Sequence, residues 1–343
     1  MKTKIAINGF GRIGRQFFQI AFTNPEFEFV AINDLGDMEN MAYLLKYDTV
    51  YGRFSQSVEF KKENDKNYLT VGGQDILYVS EKDPLKLPWK DLGIDIVIEA
   101  SGVFASEEKA GAHLKAGAKR VVITAPAKGD VPHLILGANE DKFQKGNFGS
   151  ITCNASCTTN SIVPVAAIMS ENPGIFKGTL TTIHAFTATQ NLVDGPVKEG
   201  KDFRRGRAAG SNIVPSTTGA AEAVKKSLPQ LDEIFDGTSI RVPVISGSLS
   251  DFTFLAKRKI TVEEINNIFR QKAKDELWKP ILAVTEEQLV SSDILRRPYG
   301  AIVDLTLTKV IDGDLVKVFS WYDNEWGYSI TLLGHVLRIA KNL

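Results

Sequence analysis

The sequence predicts a two-domain protein of the α/β class, in which a doubly wound parallel sheet is followed by an α+β domain with a mixed or antiparallel sheet. Three observations predict this fold. The chain has 343 residues, whereas a single hydrophobic core rarely grows past about 250 residues. Short β-branched runs alternate with amphipathic segments in the first third, and strand-like runs dominate after Cys157. We therefore place the boundary between the two domains near Ser156.

The first domain has the alternation of strands and helices that a parallel sheet requires. Strand-like runs occupy 4–8, 29–33, 94–100 and 119–125. Helical segments are expected after Gly11, near Asn40 and near Glu107. Between the second and third runs, a Gly-Gly pair within 67–79 predicts an inserted β-hairpin.

The second domain has the pattern of an antiparallel or mixed sheet. Strand-like runs occupy 178–186, 248–256, 301–310 and 315–322. An Asp-Gly pair at 312–313 predicts that the last two runs form a hairpin. Thr261 and Glu264 predict a capping box at the start of a helix, and the terminal segment 327–341 has helical periodicity. Helices are therefore expected to cover one face of this sheet.

Composition excludes several classes of protein. Lys plus Arg and Asp plus Glu each number 41, so there is no net charge to attract nucleic acid or an anionic membrane. No apolar run approaches the length of a membrane span, and we expect a cytoplasmic protein. The only cysteines, Cys153 and Cys157, fit neither a disulfide framework nor a CxxC spacing, and no metal site is expected. One of the two is then available for covalent chemistry.

A glycine-rich turn predicts a dinucleotide site. The segment 9–14 reads Gly-Phe-Gly-Arg-Ile-Gly, directly after a strand and at the start of a helix. Its glycines permit a tight turn and let the backbone approach a pyrophosphate at the positive end of the helix. Asp34 closes the next strand, where a carboxylate accepts hydrogen bonds from a ribose and repels a 2′-phosphate, which favours NAD over NADP. Taken alone, Asp34 is equally typical of a helix N-cap or a turn. Together these features predict a Rossmann-type NAD-binding domain.

Cys157 is the candidate nucleophile. It stands in the first turn of a helix predicted from the apolar stretch 161–172, where free N–H groups and the helix dipole favour a thiolate. Cys153 is interpreted as a small buried residue. His184 ends a strand beside hydroxyl-rich sequence and is the candidate base. The other histidines are interpreted as structural: His113, His133 and His335.

Four motifs of this chain resemble those of the phosphorylating glyceraldehyde-3-phosphate dehydrogenases. They are the segments 156–160, 184–187, 218–221 and 321–328. With the NGFGRIGR opening and the INDL segment, they occur in the order and at the spacing of that family, nearly from end to end. The resemblance implies an NAD-binding domain over 1–156, completed by the C-terminal helix 321–343, and a catalytic domain over 157–320.

The resemblance also implies a reaction, the NAD-dependent oxidative phosphorylation of D-glyceraldehyde 3-phosphate to 1,3-bisphosphoglycerate in glycolysis. Cys157 would add to the aldehyde to give a hemithioacetal, and His184 would remove the hydroxyl proton as hydride passes to the nicotinamide. Inorganic phosphate would then attack the resulting thioester and release an acyl phosphate. Physically this is covalent catalysis by an activated thiol assisted by a general base.

The same resemblance implies binding residues for two phosphates and for NAD. Thr187 and Arg241 correspond to the site for the substrate phosphate. The site for the attacking phosphate corresponds to Ser156, Thr158, Thr218 and Gly219, with Arg207 as an addition that the neighbouring Arg204 and Arg205 leave ambiguous. The implied cofactor residues are Gly9, Gly11, Arg12, Ile13, Gly14, Asp34, Lys82, Thr124 and Asn324. Lys82 stands where the family usually has arginine, and EASG at 99–102 replaces STG or CTG, so the adenosine contacts depart from the usual pattern.

The segment 188–211 resembles the family's S-shaped loop, which lies against a neighbouring subunit and implies a homotetramer; a lid is the alternative. Two other functions share part of this pattern. An erythrose-4-phosphate dehydrogenase would share the cysteine and histidine but release an acid by hydrolysis. A non-catalytic nucleotide- or RNA-binding protein would need neither residue, and Cys157, His184 and the lack of a basic stripe disfavour it.

Overall fold

The computed structural model describes residues 2–146, 148–197 and 200–343. The chain divides into two compact units. The first unit comprises Met1–Leu134, Glu140–Ala155 and Leu332–Leu343, and the second comprises Ile135–Asn139 and Ser156–Thr331. The assignment of an NAD-binding domain to 1–156 with 321–343, and of a catalytic domain to 157–320, stays a prediction.

The first unit is built on one eight-stranded sheet. The strands of the whole unit, of which β3 and β4 lie outside this sheet, are β1 (Thr3–Asn8), β2 (Phe27–Asn33), β3 (Tyr47–Asp48), β4 (Gly52–Arg53), β5 (Val58–Glu63), β6 (Lys66–Val71), β7 (Gln74–Val79), β8 (Ile96–Glu99), β9 (Arg120–Ile123) and β10 (Ile151–Cys153). Its helices are α1 (Arg12–Ala21), α2 (Met38–Lys46), α3 (Trp89–Leu92), α4 (Glu107–Lys115) and α5 (Glu140–Lys145). The sheet has the spatial order β10-β9-β8-β1-β2-β7-β6-β5, and β3 and β4 form a separate ribbon.

The parallel sheet predicted from the sequence is confirmed. The strands from β10 to β7 pair in parallel, and β7, β6 and β5 pair antiparallel. The Gly-Gly turn joins β6 to β7 as expected, and β5 extends this hairpin by one strand that the sequence did not indicate. In the sheet register Asn8 lies opposite both Asn33 and Glu99, so the carboxyl ends of β1, β2 and β8 form one edge. Open parallel sheets bind their ligands at that edge.

The second unit is built on a seven-stranded mixed sheet. Its strands are β11 (Ile175–Ala185), β12 (Val214–Thr217), β13 (Phe235–Val242), β14 (Ser248–Ala256), β15 (Leu282–Thr285), β16 (Ala301–Ile311) and β17 (Leu315–Tyr322). Its helices are α6 (Cys157–Glu171), α7 (Ala220–Ser227) and α8 (Val262–Lys272), and the chain ends in α9 (Trp326–Ala340). The spatial order is β12-β13-β11-β14-β17-β16-β15, with β11–β13 and β15–β16 parallel and the other pairs antiparallel.

Several local expectations for the second unit are confirmed. The Asp-Gly turn at 312–313 has positive φ at both residues, the conformation of a tight hairpin turn, and joins β16 to β17. Thr261 and Glu264 form the reciprocal capping box of α8. The terminal helix begins later than the expected bound at residue 321, because Trp321 and Tyr322 still pair within the sheet as part of β17. Among the described helices, none has both the length and the apolar character needed to cross a membrane.

Candidate active site

Cys157 is the first residue of α6, and Ser156 caps that helix. The Ser156 hydroxyl accepts a hydrogen bond from the Thr159 N–H at 3.0 Å, which satisfies one of the free donors at the helix start. Cys157 is partly exposed, whereas most of the apolar helix behind it is buried. The local sequence thus fixes a reachable thiol at the positive end of a buried helix.

His184 brings an imidazole to this thiol. It lies near the end of β11 and is 4% exposed. Its Nε2 is 3.3 Å from the Sγ of Cys157. The buried ring of Tyr322 meets the imidazole edge to face at 5.9 Å, and its hydroxyl is 2.9 Å from the Thr158 Oγ1. A thiol and an imidazole at this separation can exchange a proton, which is the requirement for an activated cysteine nucleophile.

Arg241 lies directly beside His184, because the two residues are register partners on the parallel strands β13 and β11. The Arg241 Nη1 donates to the His184 Nδ1 at 2.5 Å and to the Ala185 carbonyl at 3.1 Å. The same Nδ1 is 2.6 Å from the Ala185 carbonyl, to which it donates only when it carries the ring proton. Arg241 and Ala185 therefore select opposite tautomers of His184. The Arg241 Nε is buried and has no partner within the described residues, so the guanidinium retains a donor for an anion.

Burial and charge oppose each other at the thiol. Burial raises the pKa of Cys157, and the charge of Arg241 and hydrogen bonds from Thr158 counteract that rise. Burial, reinforced by the charge of Arg241, lowers the pKa of His184 to about 3. The site therefore favours a neutral imidazole. The helix start was expected to favour a thiolate, and in the structure burial outweighs that effect.

Three other residues that are predicted to bind phosphate also belong to the second unit. The Thr187 Oγ1 is 3.0 Å from the Thr189 Oγ1. The Thr218 Oγ1 accepts from the Ala220 N–H at 3.1 Å, and Gly219 is the N-cap residue of α7. Thr218 and Gly219 thus stand at a helix start, where free N–H groups suit an anion.

The structure separates the three neighbouring arginines whose roles the sequence left ambiguous. Arg207 pairs with an exposed aspartate of its own loop, and Arg204 pairs with the aspartate two residues before it. Burial lowers the pKa of both His184 and Arg241, and the charge of Arg205 adds to the lowering at each. Arg205 itself donates to the Thr189 Oγ1 at 2.5 Å. Within the segment 188–211, residues 198 and 199 lie outside the described residues.

A cavity of about 560 Å³ opens in the first unit beside the glycine-rich turn, and its lining includes Gly9, Gly11, Asp34 and Lys82. A Cβ added at Gly14 would lie 2.2 Å from the Gly9 carbonyl oxygen, so this glycine lets α1 pack against the turn. A Cβ added at Gly11 would meet no atom within 4 Å. Gly11 thus leaves open space where a pyrophosphate can approach the backbone, and the residues present fit a dinucleotide.

Asp34 serves as a turn residue while it lines this cavity. Its Oδ2 accepts from the Phe10 N–H at 2.6 Å, and its Oδ1 accepts from the Gly36 N–H at 2.8 Å. The turn role that was the alternative interpretation is therefore present, and the N-cap of α2 is Asp37 instead. A carboxylate fixed in this way presents a defined negative charge to the cavity.

The other predicted cofactor residues of the first unit are Arg12, Ile13 and Thr124, and each has a different environment. Arg12 forms an ion pair with the buried carboxylate of Asp48, and Ile13 is half-buried in the first turn of α1. Thr124 follows β9 and donates its N–H to the Glu99 carbonyl at 3.0 Å.

Asn324 belongs to the second unit and is 5% exposed. Its Oδ1 accepts hydrogen bonds from the Ser248 hydroxyl at 2.8 Å and from the Gly247 N–H at 3.1 Å. Its carbonyl oxygen is thus engaged in holding the start of β14.

A glycine-rich turn at the carboxyl edge of a parallel sheet, together with a thiol beside an imidazole, is typical of dehydrogenases that act through a cysteine. Residues 3–107 match the domain described as glyceraldehyde 3-phosphate dehydrogenase, NAD binding domain. Residues 156–324 match the C-terminal domain of the same family.

Full-length relatives agree with these domain matches. The glyceraldehyde-3-phosphate dehydrogenase of Thermotoga maritima is 49% identical over 328 residues, which cover 95% of this chain and 96% of the relative. That of Geobacillus stearothermophilus is 45% identical over 341 residues, 99% of each chain, and that of Streptomyces coelicolor is 44% identical over 344 residues, 100% of each. The chain therefore belongs to the glyceraldehyde-3-phosphate dehydrogenase family and is an NAD-dependent oxidoreductase.

Proposed function

We propose that this chain catalyses the oxidative phosphorylation of D-glyceraldehyde 3-phosphate to 1,3-bisphosphoglycerate, with NAD as oxidant. The observation that carries the proposal is the 3.3 Å separation of the Cys157 Sγ and the His184 Nε2, with the Arg241 guanidinium beside the same ring. A nucleophile, a base and a cation for an anionic substrate thus belong to one cluster. Membership of the family supplies the aldehyde and the glycolytic role.

Cys157 and His184 divide the chemistry between them. The sulfur adds to the aldehyde carbon, and the thiol proton passes by way of His184 to the new hydroxyl of a hemithioacetal. Bound NAD would supply the acceptor for the hydride of this carbon. His184 takes the hydroxyl proton in the same step, and a thioester remains on Cys157. Inorganic phosphate then attacks the thioester carbon, the C–S bond breaks as the acyl phosphate forms, and the departing thiolate takes back the proton that His184 holds.

The base role of His184 sets the position of its ring proton. For the Nε2 to accept a proton, the Nδ1 must carry the ring proton and donate it to the Ala185 carbonyl, 2.6 Å away. In the free site Arg241 donates to the same Nδ1 and competes with that tautomer. A substrate phosphate that draws Arg241 from the ring would leave His184 in the tautomer a base requires. We therefore assign the substrate phosphate to Arg241 and Thr187.

The attacking phosphate is assigned to hydroxyls and N–H groups at two helix starts. Helix N-termini bind tetrahedral anions through free N–H groups and the helix dipole. The proposed donors at the starts of α6 and α7 are Ser156, Thr158, Thr218 and Gly219. The accompanying charge is assigned to Arg207, whose ion pair with Asp194 is exposed, or to the neighbouring Arg205, whose charge contributes to the lowered pKa of His184.

NAD is assigned to the cavity of the first unit. The glycine-rich turn and the first turn of α1 would hold the pyrophosphate, Asp34 the adenosine ribose, and Lys82 and Thr124 the adenosine side. We propose that residues 1–156 with the C-terminal helix form the NAD-binding domain, and that Asn324 orients the nicotinamide amide.

The test is turnover with glyceraldehyde 3-phosphate and NAD, followed by absorbance of the reduced cofactor, with and without inorganic phosphate. We expect multiple turnovers only with phosphate, a single burst without it, and neither in Cys157→Ser. His184→Asn is expected to lower kcat by at least about a hundredfold, because general-base catalysis is lost. Turnover that is equally fast without phosphate would mean that the thioester is hydrolysed, as in an erythrose-4-phosphate dehydrogenase.

We further propose a homotetramer in the cytoplasm. The tetramer is supported by apolar residues of the segment 188–211, of which Leu192, Val193 and Phe203 are more than two thirds exposed. The location is supported by Cys153 and Cys157, both of which carry free thiols, as is usual in a reducing compartment. Sedimentation of the purified protein and fractionation of the cells that produce it test the two statements.

A further inference from the structure

A chain of buried polar side chains runs along the carboxyl edge of the eight-stranded sheet, beside the proposed NAD cavity. Asn33 donates to the Asn8 Oδ1 at 2.7 Å, and Asn8 donates to the Glu99 Oε2 at 2.5 Å. The same carboxylate oxygen is 3.0 Å from the His113 Nε2, and the Trp89 Nε1 donates to the His113 Nδ1 at 3.1 Å. Each of these five residues is at most 5% exposed. We refer to them as the Glu99 network.

The directions of these hydrogen bonds determine where the protons lie. An indole N–H only donates, so the His113 Nδ1 must accept from Trp89, and a neutral ring then carries its proton on Nε2. His113 therefore donates to Glu99, as Asn8 does. The second carboxylate oxygen also faces donors only, the N–H and the hydroxyl of Ser101. Glu99 thus serves as the common acceptor of the network.

Glu99 thereby orders one wall of the cavity. Its Oε1 accepts from the Ser101 N–H at 2.9 Å and from the Ser101 hydroxyl, whose oxygen in turn accepts from the Val103 N–H at 3.1 Å. Residues of the segment 100–104 line the cavity together with Asn8 and Asn33. The other carboxylate oxygen, Oε2, accepts from Asn8, which in turn accepts from Asn33. The glycine-rich turn packs on this wall so closely that a Cβ at Gly9 would lie 2.4 Å from the Ser101 nitrogen.

We propose that Glu99 is a positioning residue for the cofactor. Its buried carboxylate holds the 100–104 segment and the Asn8–Asn33 edge in one arrangement before NAD arrives, and it does so without touching NAD. A site that is ordered on folding binds more tightly, because the ligand does not have to order it. The inference rests on the proposed assignment of NAD to this cavity.

Glu99→Gln is the main test, since it keeps the shape of the side chain and replaces one acceptor by a donor. Its amide NH2 must then face either the Ser101 N–H or the pair formed by Asn8 and His113, and in each case donor meets donor. We expect the Kd and the KM for NAD to rise about tenfold, whereas kcat at saturating NAD and the KM for the aldehyde stay within about twofold. Faster amide hydrogen exchange over 100–104 should accompany the change.

Two further variants keep the test independent of folding. Ser101→Ala changes an exposed residue, removes the hydroxyl link to Val103, and is expected to weaken NAD binding in the same direction by a smaller factor. His335→Gln is the matched control, because His335 is fully buried in the same unit and its partners, Thr152 and Asn154, do not line the cavity. It should lower the melting temperature and leave the Kd for NAD unchanged.

A cavity-blocking variant separates failure of the inference from failure of the assigned site. In Gly11→Val the new Cβ meets no atom within 4 Å, so the fold is retained while the added side chain obstructs the approach of NAD. If Gly11→Val loses NAD binding while folded Glu99→Gln and Ser101→Ala bind it as the parent does, Glu99 is structural only and the inference is wrong. If Gly11→Val also binds like the parent, the assigned cavity is wrong, and the inference is overturned with it.

Discussion

Among the groups that oppose the burial of Cys157, the charge of Arg241 has the largest effect on the thiol pKa. A nearby cation stabilises the thiolate, so removing it raises the pKa further. We therefore expect Arg241→Gln to shift the pH midpoint of Cys157 alkylation by iodoacetamide to a higher value and to slow alkylation at pH 7. The pH dependence of the alkylation rate measures this directly.

Arg241→Lys is the matched control for that shift. It keeps a positive charge near the thiol but loses the planar group that donates to the His184 Nδ1 and to the Ala185 carbonyl. Its alkylation midpoint should lie between those of the parent and Arg241→Gln. A midpoint that is the same in all three proteins would show that the helix start, and not Arg241, controls the thiol.

Asp48 contributes stability that depends on pH. Burial raises the pKa of its carboxyl, but hydrogen bonds from the Tyr51 N–H and from Arg12, with the charge of Arg12, outweigh burial and lower the pKa below its usual value. A group whose pKa is lowered by folding stabilises the protein above its unfolded pKa, and this contribution is lost as the pH falls through the folded value.

We expect Asp48→Asn to lower the free energy of unfolding by about 1 to 3 kcal/mol at neutral pH, because Arg12 loses its buried partner. The loss is smaller than for a fully buried ion pair, because Arg12 is partly exposed to water. Denaturant titration at a series of pH values is the measurement. The difference from the parent should shrink only below about pH 4, the range in which an unfolded aspartate titrates. A difference that is constant down to the acid transition would contradict the role of the charge.

Single residues were predictable from the sequence where a motif carried them, and not where the fold brought distant segments together. Cys157 stands next to its own helix cap, so its exposure at a helix start follows from local sequence. Arg241 and His184 are 57 positions apart and meet only through the register of two parallel strands. The Glu99 network likewise joins residues up to 105 positions apart, which no local pattern reveals.

At the scale of elements, turn and cap residues predicted the local structure correctly. The role of a glycine inside a strand could not be predicted in the same way. The two hairpins and the α8 capping box are local, so their residues alone define them. Strand β13 contains an Asp-Gly pair that is typical of a turn. A Cβ at Gly237 would lie 2.8 Å from the Leu180 carbonyl oxygen, so close packing against β11 explains this glycine. That requirement becomes visible only once the strands are paired.

The α8 capping box gives a prediction for one element alone. The Glu264 N–H donates to the Thr261 Oγ1 at 3.2 Å, and the Thr261 N–H donates to the Glu264 Oε2 at 3.0 Å. Thr261→Ala should destabilise the protein by about 1 kcal/mol, the usual cost of losing such a cap, without changing kcat or either KM. Thermal unfolding and steady-state kinetics are the measurements, and Thr261→Ser, which keeps the cap hydroxyl, should behave as the parent.

At the scale of the whole molecule, the balanced charge is compatible with a protein that associates with copies of itself. With 41 basic and 41 acidic residues the chain carries no net charge to oppose association. Among the described residues, the large apolar side chains with the greatest exposure lie in or directly after the segment 188–211: Leu192 is 80% exposed, Val193 75%, Phe203 74% and Ile213 71%. Large apolar side chains exposed to this extent make the segment a candidate interaction surface.

The proposed tetramer can therefore be tested at this segment. A double substitution, Leu192→Asp with Val193→Asp, places two negative charges on the apolar surface, and desolvating them on association costs more than the contact returns. We expect sedimentation velocity to show dimers or monomers in place of tetramers. Val290→Asp, an exposed apolar position outside the segment, serves as the control and should leave the tetramer intact. If the double variant sediments as the parent does, the segment is not at a subunit interface, and the alternative that it acts as a lid becomes the explanation for its exposed apolar residues.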